Sequence, residues 1–168
     1  MRNSCSGHPP ISWYDWALLI LALCFHCSVF ASRPAGLWQP FTFDSVATQG
    51  RKGWDFYAIY QAGHNILTGD SVYESDNDKI DVVAPLYTPY RYLPFVASTL
   101  GVLLNVLPPV WAFKLWMVAT EALYLLCIAL AWRAAGGGAR GVRVATLWLA
   151  FTPYYLELYL GQFNVAQA

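Results

Sequence analysis

Residues Val110–Trp132, VWAFKLWMVATEALYLLCIALAW, decide the class of this chain. They form an unbroken apolar run, interrupted only by Lys114 near its start and Glu121 near its middle. About 20 such residues are needed to cross a hydrocarbon core as a helix. Working outward, Trp13–Ala31 is a second run of spanning length, with Asp15 at its start and His26 inside it. Val142–Leu160 is a third, and Pro153 predicts a kink there because it removes an amide donor and crowds the preceding turn. Composition agrees. Hydrophobic residues make up 57% of the 168-residue chain and charged residues 12%, about half the usual soluble share of roughly 25%. The many Trp and Tyr suit the headgroup level of a bilayer.

Formal net charge is zero, so no basic face points to nucleic acid. The charges are unevenly placed. Acids gather between Asp44 and Asp81, while arginines gather near the N-terminus and at Arg133, Arg140 and Arg143. Residues 32–109 form the long polar connection. Within it, 55–67 has helical periodicity, with Phe56, Ile59, Tyr60, Gly63, Ile66 and Leu67 on one face and Gly69 placed to end the helix. That pattern suits a helix lying on a membrane surface. Residues 93–107 are apolar but short for a span, and are bounded by Pro94 and by Pro108-Pro109. They read as a juxtamembrane or re-entrant helix.

Charge then orients the chain. If 93–107 crossed fully, the 133–143 loop would share a side with the acidic segment, against the tendency of basic loops to stay inside. The arrangement that agrees with both length and charge has about three spans, at 13–31, 110–132 and 142–160. It places 133–143 in the cytoplasm, with 32–109 and the turn at 161–168 outside. Arg2 ahead of the first run favours an internal N-terminus. A cleaved signal ending near Val29-Phe30-Ala31 is the rival reading of that run. The fold expected is therefore an all-α polytopic membrane protein with external juxtamembrane helices, and the chain reads as the front part of a longer one.

Several polar groups invite chemistry. Asp55 stands at the start of the 55–67 helix, where a carboxylate can act as a base or complete the helix terminus. Asp44 is the competing acid. Arg91, between Tyr90 and Tyr92, can bind phosphate bidentately or snorkel at the interface. Lys114 has the same two options, and Arg51 and Lys52 can draw in an anionic lipid. Gln162 and Asn164 can hold sugar hydroxyls or close the helix end. Glu121 is costly at mid-membrane. It suits either function or a hydrogen bond to a helix from a further part of the protein. The Asp76–Asp81 run lacks the glycine and terminal glutamate of a calcium loop, and Cys24-Phe25-His26-Cys27 lies inside an apolar run, so no metal is expected.

Three motifs in order resemble glycosyltransferase family 87, the polyprenyl-phosphate-mannose-dependent mannosyltransferases. The first is Asp55-Phe56-Tyr57-x-x-Tyr60-x-Ala62-Gly63-x-x-x-Leu67-x-Gly69-x-x-x-Tyr73. The second is Tyr90-Arg91-Tyr92-Leu93-Pro94, with Leu93 where the family commonly has proline. The third is Gly161-Gln162-Phe163-Asn164. The likeness covers residues 50–168 but only the front of a family member. It implies a C-type membrane glycosyltransferase using no cofactor. The donor would be a polyprenyl-phosphate sugar and the acceptor a cell-envelope glycan or glycolipid. Asp55 would be the catalytic acid of the first external loop, on the non-cytoplasmic side of a plasma or inner membrane. Tyr90, Arg91, Lys114, Gln162 and Asn164 would bind substrate. A non-enzymatic lipid or sugar transporter component is the alternative. Such a protein would line its mid-membrane helices with polar groups, and only Glu121 does so in this sequence.

Reporter fusions at Arg140 test the orientation: the charge pattern predicts a cytoplasmic signal, and a signal from the opposite side would overturn it.

Overall fold

The computed structural model describes residues 10–31, 53–73 and 89–162, the side chains of 29–31 and 159 excepted. Among the described residues all regular secondary structure is helical, with no strand. Six helices follow in order: α1 (Trp13–Ala31), α2 (Trp54–Thr68), α3 (94–104), α4 (Pro109–Ala134), α5 (Gly138–Leu149) and α6 (Pro153–Leu160). Asp44, Arg51, Lys52, Asp76–Asp81 and Asn164 lie outside the described residues.

Each helix start has a local cause. Ser12 and Asp15 form a reciprocal cap on α1. The Asp15 amide donates to the Ser12 hydroxyl at 3.2 Å, and the Ser12 amide donates to the Asp15 carboxylate at 3.0 Å. Proline occupies the first turn of α3, α4 and α6, where its missing N–H costs nothing. Gly69, at φ 84°, closes α2 as its position in the sequence predicts.

Large apolar side chains cover much of the outer surface, and a few polar ones are enclosed. Leu18, Leu21, Leu115 and Val118 are more than half exposed, while Asp15, His26 and Thr120 are buried. Such a surface suits an apolar solvent. Among the described residues one helix, Pro109–Ala134, is both long and apolar enough to cross a membrane. Trp13–Ser28 and Pro94–Leu104 are apolar but shorter.

Helices α1, α4 and the α5–α6 segment run side by side, α4 antiparallel to the other two. At one end Arg143 donates from Nε to Asp15 at 2.8 Å, joining the start of α1 to α5. At the other end α2 and α3 form a cap over the start of α4 and the end of α6. Phe56, Ile59, Tyr60 and Phe113 lie in the cap's core. Ala22, Tyr124, Leu149, Tyr155 and Leu158 lie in the core of the bundle. Met117 touches both.

Three expectations change. Helix α2 does not lie on a surface by one face: Phe56 through Gly63 are all buried, and Leu67, expected on the apolar face, is exposed. Helix α3 is not a regular helix over 93–107. It ends at Leu104, and residues Ala97–Gly101 form a π turn. That turn brings Gly101 onto α2 so closely that a Cβ on Gly63 would stand 2.1 Å from the Gly101 carbonyl carbon. Asn105 secures the crossing by donating to Tyr60 O and Gly101 O, both at 2.8 Å. Finally, 142–160 is two helices rather than one kinked span. Helix α5 begins at Gly138, inside the expected loop, and the chain leaves helical form between Leu149 and Pro153.

The break exposes carbonyls, and phenols seal them. The helical partner of Leu149 O would be the amide of residue 153, which as proline has no hydrogen. The Tyr155 hydroxyl donates to Leu149 O instead, at 3.0 Å. Tyr124 donates to Trp148 O, which also accepts from the Phe151 amide.

Two outcomes are expected in detergent unfolding measurements. Gly63→Ala destabilises the protein by about 1–3 kcal/mol or more, since backbone rather than a movable side chain blocks the new methyl; Ser98→Ala, on the exposed side of α3, stays within about 0.5 kcal/mol. Tyr155→Phe strands a buried carbonyl and costs about 1–3 kcal/mol, whereas Tyr124→Phe costs less because Trp148 O keeps a second donor.

Candidate functional site

The site lies where the first turn of α2 meets the last turn of α6. Two glycines permit the meeting. Gly53, the N-cap of α2, has φ 77°, and Gly161, the C-cap of α6, has φ 76°. Both conformations are strained for residues with a Cβ. Space excludes a side chain as well. A Cβ on Gly161 would stand 2.5 Å from Phe56 Cβ, and one on Gly53 would stand 2.9 Å from the Phe113 ring. The two chain turns thus close around Phe56 and Phe113, whose ring centroids are 5.2 Å apart.

This contact places Gln162 on Asp55. The Gln162 side-chain amide donates to Asp55 Oδ2 at 2.7 Å, although 107 positions separate the two residues. Asp55 does not cap α2. Gly53 holds that position, with no side-chain bond, and Asp55 sits inside the first turn. There the carboxylate gains from the positive end of the helix dipole. An amide partner orients the carboxylate without neutralising it. Asp55 and Gln162 are both half-buried, so water reaches the site from one side.

The Tyr90–Tyr92 segment flanks the same place. Burial raises the Tyr92 phenol above its ordinary range, and the Asp55 charge adds to the shift. Tyr92 therefore stays a neutral hydrogen-bond donor near the carboxylate well above neutral pH. Tyr90 is buried and held in place. Its hydroxyl donates to Leu93 O at 2.6 Å, and its ring lies 5.8 Å from Tyr73 and 5.7 Å from Tyr92. Burial raises its phenol too. That arrangement makes Tyr90 a support for the segment rather than a substrate contact. Arg91 is exposed between the two tyrosines.

Lys114 does not join this group. Its ammonium sits 4.4 Å above the Trp111 ring, on an outward groove lined by Leu107, Trp111, Leu115 and Val118. One residue earlier, Phe113 faces the site instead. The helical step of about 100° per residue separates the two directions. Glu121 also departs from expectation. Its partners belong to this chain: His26 at 2.7 Å and Tyr154 at 2.6 Å.

The fold brings Asp55, the expected catalytic acid, together with Gln162, Tyr90 and Arg91 of the expected substrate-binding set, and sets Lys114 apart; Asn164 lies outside the described residues. The fold adds Tyr92, Gly53 and Phe113, which sequence reading did not single out. Tyr92 carried a signal, since it stands inside the second motif. Gly53 and Phe113 carried none. Comparison with known proteins finds no matching family model, no similar curated protein and no similar solved structure.

Proposed function

We propose that this chain is the front part of a polytopic membrane glycosyltransferase that moves a hexose, mannose by its motifs, from a polyprenyl phosphate to a cell-envelope glycan or glycolipid. The observation that carries the reading is the Gln162–Asp55 hydrogen bond at 2.7 Å. It joins the first and third motifs of the family resemblance, and the second motif supplies Tyr92 beside them. The apolar outer surface and the spanning length of α4 support a bilayer setting; in this reading α1 and α5–α6 cross beside α4, and the α2–α3 cap lies at the non-cytoplasmic face.

In this reading Asp55 is the general base. The acceptor hydroxyl attacks the anomeric carbon of the donor, forming the new glycosidic C–O bond. The C–O bond to the lipid phosphate breaks on the opposite face, and its electron pair leaves with the phosphate. The hydroxyl proton passes to Asp55. General-base assistance of this kind contributes typically about 10²–10⁴-fold. Gln162 holds the carboxylate toward the reacting hydroxyl. Arg91 meets the departing phosphate, whose negative charge favours a guanidinium fork. A lipid phosphate is already a stabilised anion, so it needs cationic or hydrogen-bonding contacts more than a general acid. The transporter reading draws on the ionisable His26–Glu121 pair within the bundle. That pair is engaged on every side by hydrogen bonds to the bundle's own groups, which favours the enzyme.

Transfer of radiolabelled mannose from polyprenyl phosphate, measured in membranes carrying the full-length protein, tests the reading. Asp55→Asn lowers turnover by about 10²–10⁴-fold with normal membrane insertion. Gln162→Ala lowers kcat more than it raises KM for the donor, and Arg91→Ala does the reverse. Near-normal turnover in Asp55→Asn would sink the assignment.

A further inference from the structure

Away from Asp55, the bundle buries an ionisable cluster that the proposed reaction does not use. His26 on α1 is 4% exposed. Its Nδ1 lies 2.9 Å from the Tyr155 hydroxyl, and its Nε2 lies 2.7 Å from Glu121 Oε1 on α4. The second Glu121 oxygen accepts from the Tyr154 hydroxyl at 2.6 Å. The rings are layered: Tyr124 stacks on Tyr154 with centroids 3.7 Å apart, and His26 lies nearly parallel to both.

Counting protons fixes the state of this cluster. A phenol has one hydrogen to donate. Tyr155 gives its hydrogen to Leu149 O, the carbonyl that Pro153 leaves without an amide partner. Tyr155 therefore accepts from His26, and Nδ1 must carry a hydrogen. Tyr154 gives its hydrogen to Glu121. The contact between His26 Nε2 and Glu121 Oε1 then needs one proton, whether it rests on nitrogen or on oxygen. Two protons there would leave a net positive charge inside the bundle. None would press a nitrogen lone pair against a carboxylate. Both states are costly in a dry interior.

We propose that His26 and Glu121 share a single proton and act as a one-proton lock that fastens α1 and α4 to the α5–α6 break. The lock is independent of any catalytic role for Asp55. Other titratable groups facing it are Tyr124 and Cys127 from α4 and Tyr154 and Tyr155 from α6. Helix α1 adds none, since Cys24 and Cys27 are exposed on its outer side. Helix α5 contributes only Arg143, which is committed to Asp15 at the far end.

Glu121→Gln keeps the shape: the new amide donates to His26 Nε2 and still accepts from Tyr154. Glu121→Leu keeps neither hydrogen bond.

Two measurements on the full chain in lipid nanodiscs decide the matter. In ¹⁵N-histidine spectra at pH 8, with His26 assigned by His26→Asn, the His26 Nδ1 carries a hydrogen. An unprotonated His26 Nδ1 overturns the lock. In unfolding by SDS at one pH, Glu121→Gln keeps nearly the resistance of the unsubstituted protein, because both hydrogen bonds can still form. Equal losses in Glu121→Gln and Glu121→Leu overturn the lock as well. Glu121→Leu, which strands both His26 and Tyr154, shifts the folding equilibrium roughly 100- to 1000-fold toward the unfolded form. Should Glu121→Gln not fold, the His26 spectrum of the unsubstituted protein still decides.

Discussion

The hydrogen bond from Gln162 to Asp55, at 2.7 Å, is the constraint around which the rest of the structure is arranged. It closes a circuit through the whole chain: from α2, over the glycine crossing into α3, down α4, and back along α5 and α6. Every step needs a particular residue. Gly63 and Gly101 let α2 and α3 meet backbone to backbone. Gly53 and Gly161 let two helix ends approach the Phe113 ring. The break before Pro153 turns α6 so that its last turn meets the first turn of α2. A side chain at any of these glycines would open the circuit and separate the amide from the carboxylate.

Inside the bundle a different rule operates. A polar group cut off from solvent is costly unless the protein supplies a partner. The Leu149 carbonyl, deprived of an amide by Pro153, takes the Tyr155 hydroxyl. That choice commits Tyr155 as an acceptor for His26, which in turn fixes the proton between His26 and Glu121. One proline thus determines the protonation of a residue on another helix. Apolar side chains show the complementary pattern, facing outward along α1 and α4.

Sequence reading located the helices well where periodicity or apolar length was the signal. Val110–Trp132 and Trp13–Ala31 reappear within a few residues as α4 and α1, and 55–67 as α2. It failed where tertiary packing decided. The surface placement of α2 rested on one apolar face. That pattern cannot distinguish a helix on a membrane from one enclosed by its neighbours. Pro153 was expected to bend a span, but its effect depends on whether nearby hydroxyls can replace the lost amide bond. Tyr124 and Tyr155 could not be assigned that task from spacing alone. In the site, Asp55 and Gln162 were each legible as members of motifs, yet their contact was not, because 107 positions separate them. Lys114 was misplaced by one residue's rotation about α4. His26 and Glu121 each stood out as a lone ionisable group in an apolar run. Yet the sequence did not pair them: Glu121 was expected to serve function or to reach a helix from a further part of the protein, whereas its partners lie on α1 and α6.

The most direct test of the central claim is an experimental structure of the full-length protein in a lipid nanodisc, with a non-hydrolysable polyprenyl-phosphonate sugar and an acceptor glycan bound. The account predicts that the Asp55 carboxylate, still held by Gln162, lies within about 2.6–3.2 Å of the attacking hydroxyl. A carboxylate turned away from the sugar, with the donor seated elsewhere on the bundle, would contradict it.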